Sequence, residues 1–185
     1  MKFVKYIKYI SLFIYCYCVP TLSEAQKLAG FQGKRGVIEV GLMPNLLPNS
    51  QVHGTIYSSF AITKRISIGV QYNNSLFSKT GSLTTYGLSG EWAASKYTIA
   101  PYGRFWAYNF GIMNYSSATE KNLFKGYYFT YGFFDRSIWR PLSLTWGSEV
   151  GLYYLKKTKD DGYYYYDDDG LPLMIRLFVR VGLVW

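Results

Sequence analysis

Residues 173–185 read LMIRLFVRVGLVW. Leu173, Ile175, Leu177, Val179, Val181, Leu183 and Trp185 form an unbroken apolar series at every second position, alternating with Met174, Arg176, Phe178, Arg180, Gly182 and Val184. Period two places the two sets on opposite faces of a β-strand. Such a strand sets one face against an apolar medium and keeps the other among polar groups. Arg176 and Arg180 also interrupt the run, so it does not read as a membrane-crossing helix.

The same alternation recurs upstream and predicts eight strands. Strand one, Val37–Met43, opposes Ile38, Val40 and Leu42 to Glu39 and Gly41. Strand two, Val52–Ile62, alternates weakly, with Ile56, Phe60 and Ile62 outward. Strand three, Ile66–Asn73, sets Ile66, Ile68, Val70 and Tyr72 against Ser67, Gly69, Gln71 and Asn73. Strand four, Leu83–Ala93, turns out Tyr86, Leu88 and Trp92, with Thr85, Gly87, Ser89 and Glu91 inward. Strand five, Tyr97–Phe110, is read with Ile99, Phe105 and Ala107 outward and Arg104 inward, and Pro101 and Gly103 suggest a bulge or kink. Strand six, Lys125–Phe134, presents Tyr127, Phe129, Tyr131 and Phe133. Strand seven, Leu142–Leu155, presents Leu144, Trp146, Val150, Leu152 and Tyr154, with Thr145, Gly147, Glu149 and Gly151 behind. Residues 173–185 are the eighth.

The connections are expected to alternate as well. Thr63–Arg65, Ala94–Lys96 and Asp135–Pro141 are read as short turns. Pro44–Gln51, Asn74–Ser82, Gly111–Phe124 and Lys156–Pro172 are read as longer loops at the opposite end. Short turns at one end and long loops at the other are the pattern of outer-membrane barrels.

The N-terminus reads as an export signal. Lys2, Lys5 and Lys8 precede an apolar run, Tyr9–Val19, too short to span a bilayer as a helix. Pro20 breaks that run, and Ser23-Glu24-Ala25 supplies small residues where a signal peptidase reads, so cleavage is expected between Ala25 and Gln26. Both cysteines, Cys16 and Cys18, lie in this segment, and the bulky Tyr15 and Tyr17 before them do not suit a lipoprotein signal. The mature chain then has no thiol and no disulfide framework. Removing residues 1–25 takes away three lysines and Glu24, leaving 17 basic and 10 acidic residues and a net charge of +7 over 160 residues. The lysines are scattered through the tail, turns and loops, with no basic stripe on one element, so nucleic acid is not an expected partner. Twenty tyrosines are more than a soluble core needs. Tyr and Trp suit sites where one end of the ring is dry and the other wet, such as a membrane interface.

The export signal, the eight strands and the closing Val179-x-Val181-x-Leu183-x-Trp185 resemble the small OmpA/OmpX-type outer-membrane barrels, from about Val37 to Trp185. The fold class so implied is all-β: an eight-stranded antiparallel up-and-down transmembrane β-barrel, preceded by a cleaved signal peptide. Residues 1–25 are the signal peptide, 26–35 a periplasmic tail and 36–185 the barrel. With Trp185 closing the sequence, no peptidoglycan-binding module is expected. The resemblance implies that Val179, Val181, Leu183 and Trp185 act as a signal for the barrel-assembly machinery, in a protein of the outer membrane in contact with its lipids and lipopolysaccharide. A monomer is favoured. A shared fold does not transfer activity.

The ionisable residues sort by face. Glu39, Glu91 and Glu149 fall inward, as do Arg104, Arg176 and Arg180, three carboxylates against three guanidiniums. An eight-stranded barrel has a lumen just wide enough for side chains to fill, where a charge is partly desolvated and needs a partner. Arginine offers a planar fork to a carboxylate, lysine only a point charge. The opposite phase would aim arginines at lipid at a cost of about 2–4 kcal/mol each near the midplane. A balanced interior ion-pair network closing off any continuous water channel is therefore expected. Acid–base catalysis by the same glutamates is the weaker reading, because they lie on separate strands beside arginines.

Other candidates are weaker still. His53, the one histidine, sits at the mouth of strand two near Ser50, Ser58 and Ser59. Small barrels of this kind include lipid-modifying enzymes, some with a His/Ser/Glu arrangement, but no recognisable motif places a serine here and a solvated rim histidine is expected. The last loop runs Lys156-Lys157-Thr158-Lys159-Asp160-Asp161-Gly162, then Tyr163, Tyr164, Tyr165 and Tyr166, then Asp167, Asp168 and Asp169. Its carboxylates suit a hard cation but lack the spacing of a calcium loop, and its tyrosines suit a surface contact. Lys121, Lys125, Lys156, Lys157 and Lys159 could face lipopolysaccharide phosphates through unspecific electrostatics. No phosphate loop, CxxC, HExxH or GxSxG motif occurs, and no cofactor, metal or catalytic residue is assigned. The expected role is structural or surface-interacting through displayed loops, without catalysis. A small lipid-modifying enzyme is the alternative and a narrow pore the next; a soluble ligand-binding barrel conflicts with the outward apolar bands.

Overall fold

The computed structural model describes residues 33–47, 51–76, 81–117, 124–139, 141–157 and 173–185. The signal peptide with its Ala25/Gln26 junction, Ser50, Lys121 and the Tyr163–Asp169 run lie outside the described residues.

Alternation along the chain becomes eight strands: β1 (Gly36–Leu47), β2 (Gln51–Ala61), β3 (Ile66–Ser75), β4 (Gly81–Ala93), β5 (Gly103–Ser117), β6 (Phe124–Trp139), β7 (Leu142–Lys157) and β8 (Leu173–Val184). Each pairs antiparallel with the next, and β1 pairs with β8 to close the barrel. Closure satisfies the backbone groups that an open sheet would leave along its edges. At the seam Val37 faces Val184, and the Gly36 and Trp185 backbones exchange hydrogen bonds of 2.9 and 3.0 Å. The described chain thus starts and finishes at one end of the barrel, the turn end, with the β2–β3, β4–β5 and β6–β7 connections. The other connections occupy the loop end.

The outer wall is apolar. Ile38, Val40 and Leu42 on β1, Leu88 on β4, Val150 and Leu152 on β7, and Val179, Val181 and Leu183 on β8 are all exposed. All five tryptophans, Trp92, Trp106, Trp139, Trp146 and Trp185, face outward beside the turn end.

Several expectations about strand limits fail: β1 runs on to Leu47 and β5 to Ser117, past the expected ends at Met43 and Phe110 and into the expected loops. Residues 97–102 form an irregular connection, and β5 begins only at Gly103. Gly103 has φ +106°, open to glycine and strained for other residues, and the phase resets there. Trp106 pairs with Trp92 on the outside, and Phe105 is fully buried. The expected orientation of Phe105 and Ala107 is reversed. Strand six likewise does not stop at Phe134: its ladder to β7 continues to Trp139 opposite Leu142. The polar outward positions Asp135 and Ser137 after Phe133 read as a turn, yet backbone pairing continues through them to the outward Trp139.

Loop segregation is also weaker than expected. The β1–β2 connection is only residues 48–50, because β1 continues to Leu47 and β2 begins at Gln51, whereas the β4–β5 connection at the turn end runs over residues 94–102. Only the β7–β8 connection, residues 158–172, is long.

Candidate functional site

The inward residues fill the lumen in layers. Nearest the turn end, Val37, Tyr57 and Val184 pack with Ile138. Nearest the loop end, Leu83, Met113, Tyr115, Tyr128, Tyr153, Leu155 and Met174 form an apolar plug backed by Phe124. Gly87 and Gly111 make room for it: a Cβ on Gly87 would collide with the Tyr128 hydroxyl, and one on Gly111 with the Tyr128 ring and the Tyr86 carbonyl.

Between these layers lie two charged clusters. The first centres on Arg136, which is fully buried. Its Nη2 and Nη1 donate to both oxygens of Glu91, at 2.9 and 3.3 Å, and Nη1 also donates to the Pro101 carbonyl at 3.2 Å. Its Nε donates to Glu39 Oε1 at 3.3 Å and to Thr145 Oγ1 at 3.0 Å. Ser143 and Thr145 hydroxyls donate to the same Glu39 oxygen at 2.9 and 2.6 Å, and Tyr57 and Ser59 donate to Glu91. Arg180 completes the cluster, its Nε 3.6 Å from Glu39 Oε2 and its guanidinium stacked 4.0 Å from the Tyr57 ring centre. The partners come from β1, β4, β6 and β8: Arg136 ties β6 to β4 and to β1, strands that the sheet ladder does not join, whereas Arg180 and Glu39 lie on the neighbouring β8 and β1.

The second cluster lies toward the loop end. Arg176 donates from Nη1 to Glu149 Oε1 at 3.1 Å and from Nε to Asn45 Oδ1 at 3.2 Å. Asn109 and Thr130 donate to the other Glu149 oxygen at 2.6 and 2.8 Å. A cavity of about 10 Å³ separates the clusters, lined by Tyr57, Gln71, Asn109, Glu149 and Arg180 among others; it has room for about one water molecule.

Five of the six residues expected in the lumen network are there: Glu39, Glu91, Glu149, Arg176 and Arg180. Arg104 is not. It points outward at the turn end, its side chain 65% exposed, and pairs with Asp135 at 3.0 Å. The phase reset at Gly103 accounts for the error. Arg136 takes the expected place, so three carboxylates still meet three guanidiniums. Period two continued from Gly126, Tyr128, Thr130, Gly132 and Phe134 lands on Arg136; reading Asp135 as the start of a turn hid it. The neutral members Tyr57, Asn45, Asn109, Thr130 and Thr145 had no signal beyond their phase.

His53 is a further correction. It faces the lumen on β2, opposite Met43 and Ser75, and is only 2% exposed rather than solvated at the rim. Among the described residues no group of three or more His, Cys, Asp or Glu side chains is placed to hold a metal ion. Val179, Val181 and Leu183 lie exposed on the outer face of β8, with Trp185 beside the seam and stacked on Phe60 at 5.9 Å.

No protein-family model matches the chain, and no curated protein is similar to it at a significant level.

Proposed function

We propose that this chain is an integral outer-membrane β-barrel of the OmpA/OmpX-like kind, exported by residues 1–25, with a structural or surface-interacting role and no catalytic one. The observation that carries the reading is the outer wall. Its apolar residues face away from the protein on every strand, and all five tryptophans gather beside one end of it. Water would leave this wall unsatisfied, whereas a bilayer matches it: hydrocarbon against the band, indole rings at one interface. A closed barrel also leaves no unpaired strand edge in that medium.

In this reading the turn end is periplasmic, the loop end faces outside, and Val179, Val181, Leu183 and Trp185 serve the assembly machinery. The connections at the loop end, to which the Tyr163–Asp169 run belongs by its place in the sequence, meet lipopolysaccharide or a surface partner. The filled lumen favours a structural role over a narrow pore, since the gap between its charged clusters holds about one water. Fractionation of cells with boiled and unboiled samples run side by side tests the proposal. A heat-modifiable, protease-resistant species in the outer membrane is expected; a soluble periplasmic species would overturn it.

A further inference from the structure

The fold gathers cations that the sequence scatters. Lys34 and Arg35 lead into β1, Lys64 and Arg65 lie in the β2–β3 turn, Lys96 in the β4–β5 connection and Arg104 at the start of β5, so all six stand at the turn end. Lys64, Arg65, Lys96 and Arg104 are exposed, and Lys34 and Arg35 half-buried. Carboxylates do not offset them. Among the described residues Glu39, Glu91 and Glu149 are enclosed in the lumen, which leaves Asp135, and Arg104 takes it. The other five cations have no carboxylate side chain as partner among the described residues. The Trp185 carbonyl oxygen accepts the backbone N–H groups of Arg35 and Gly36, at 2.8 and 2.9 Å. This collar lies just beyond the tryptophans. Ile66 faces Trp92 across the sheet, so Arg65 is one residue past it. Arg104 is two residues past Trp106 on the same face, about 7 Å at the rise of a strand. The Arg35 guanidinium lies 4.9 Å from the centre of Phe60, the ring that stacks on Trp185. Between the cations Ile62, Tyr97, Ile99 and Tyr102 are exposed, and the Lys96 ammonium lies 5.1 Å over the Tyr97 ring.

We propose that this collar binds the phosphate groups of anionic glycerophospholipids. The inference rests on the membrane reading above and goes beyond it, since hydrocarbon contact alone asks nothing of the headgroup. Depth selects a lipid over a dissolved partner. Indole rings sit at headgroup level, so cations one or two residues further out reach the phosphates beside them, and the apolar residues interleaved with the cations suit the same layer. Charge selects the class of lipid. Arginine offers a phosphate two parallel N–H donors and lysine a point charge. A zwitterionic headgroup would bring its own ammonium among cations whose neighbour Asp135 is already paired; an anionic one brings none, and basic residues at a membrane surface are drawn to it. In the orientation given above, the leaflet so recognised is the periplasmic one.

The tryptophans beside the collar report on it. The chain is folded into phosphatidylcholine vesicles that carry a small, equal fraction of either phosphatidylglycerol or phosphatidylcholine brominated near the headgroup, and quenching of the indole emission is compared. Brominated phosphatidylglycerol should quench more, with a preference of several-fold at low salt. Sodium chloride at molar concentration, where the screening length is about 3 Å, should remove most of that preference. Lys64→Gln, Arg65→Gln and Lys96→Gln together should bring the two lipids within about twofold of each other, because each charge carries at most about fivefold, while heat-modifiability, the sign of a folded barrel, is kept. Equal quenching by the two lipids in the unaltered protein overturns the collar and leaves the membrane reading standing. So does a preference that survives the triple exchange in folded protein. A preference that inorganic phosphate removes, at an ionic strength where chloride leaves it, would mark a site for free phosphate and overturn the lipid. Quenching by neither lipid would overturn the membrane reading first, and the collar with it.

Discussion

Arg136 and Glu91 form a two-pronged ion pair inside the barrel, from β6 to β4, with Nη2 2.9 Å from Oε1 and Nη1 3.3 Å from Oε2. Neither side chain is exposed. The planar fork of arginine matches the carboxylate, Nη1 also reaches the Pro101 carbonyl, and Nε goes to Glu39 and Thr145. A buried pair of this kind contributes little over a well-packed apolar alternative, but removing one member strands the other.

Arg136→Met should therefore lower unfolding stability by about 3–5 kcal/mol. Arg104→Met, which breaks only the exposed pair with Asp135, should change it by less than about 1 kcal/mol. Equilibrium unfolding by urea in lipid vesicles compares the two directly. Equal effects would place Arg104 in the lumen and contradict the phase of β5.

Glu149 and Arg176 should couple. Glu149→Gln alone and Arg176→Met alone each strand a buried partner, so the double variant should lose less than the two single losses combined, by about 0.5–3 kcal/mol. A double-mutant cycle in the same unfolding assay measures this, and strict additivity would remove the pair.

Gly87→Ala should cost about 1–3 kcal/mol by overpacking against Tyr128. The clash is with the hydroxyl, the ring carbon behind it being 3.1 Å from the added Cβ. Tyr128→Phe should accordingly restore part of the loss, and failure to restore any would show that Tyr128 does not fill this space.

Val150→Arg, midway along β7 on the outer wall, should destabilise the barrel by about 2–4 kcal/mol in a bilayer. A barrel surrounded by water would tolerate the same change, so unfolding in vesicles that is indifferent to it would count against hydrocarbon contact.

How far the sequence carries the fold can be traced through particular residues. β8 was legible throughout because both its faces obey the alternation, from Leu173 to Trp185. β6 was legible only while aromatics marked its outer face; beyond Phe133 the outward positions become Asp135 and Ser137, and the alternation is recovered only by carrying the phase across them to the inward Arg136 and the outward Trp139. β5 was misread because an alternation counted from Ile99 cannot survive the irregular segment before Gly103, whose φ is a property of the folded chain. The balance of charges was legible even though one of its members was not, since desolvation in a narrow lumen demands pairing whichever arginine supplies it. Which neutral side chains complete the clusters, and that His53 is enclosed, depend on cross-lumen distances between strands that are not neighbours in the sheet.

The claim that hydrocarbon surrounds the outward face is tested most directly by the tryptophans. With the folded protein in vesicles whose lipids carry quenching labels at graded depths, emission should be quenched most by labels near the headgroups and far less by labels at the bilayer centre, because all five indoles lie beside the turn end. Emission indifferent to label at every depth, from protein that stays folded and monodisperse in plain buffer, would contradict it.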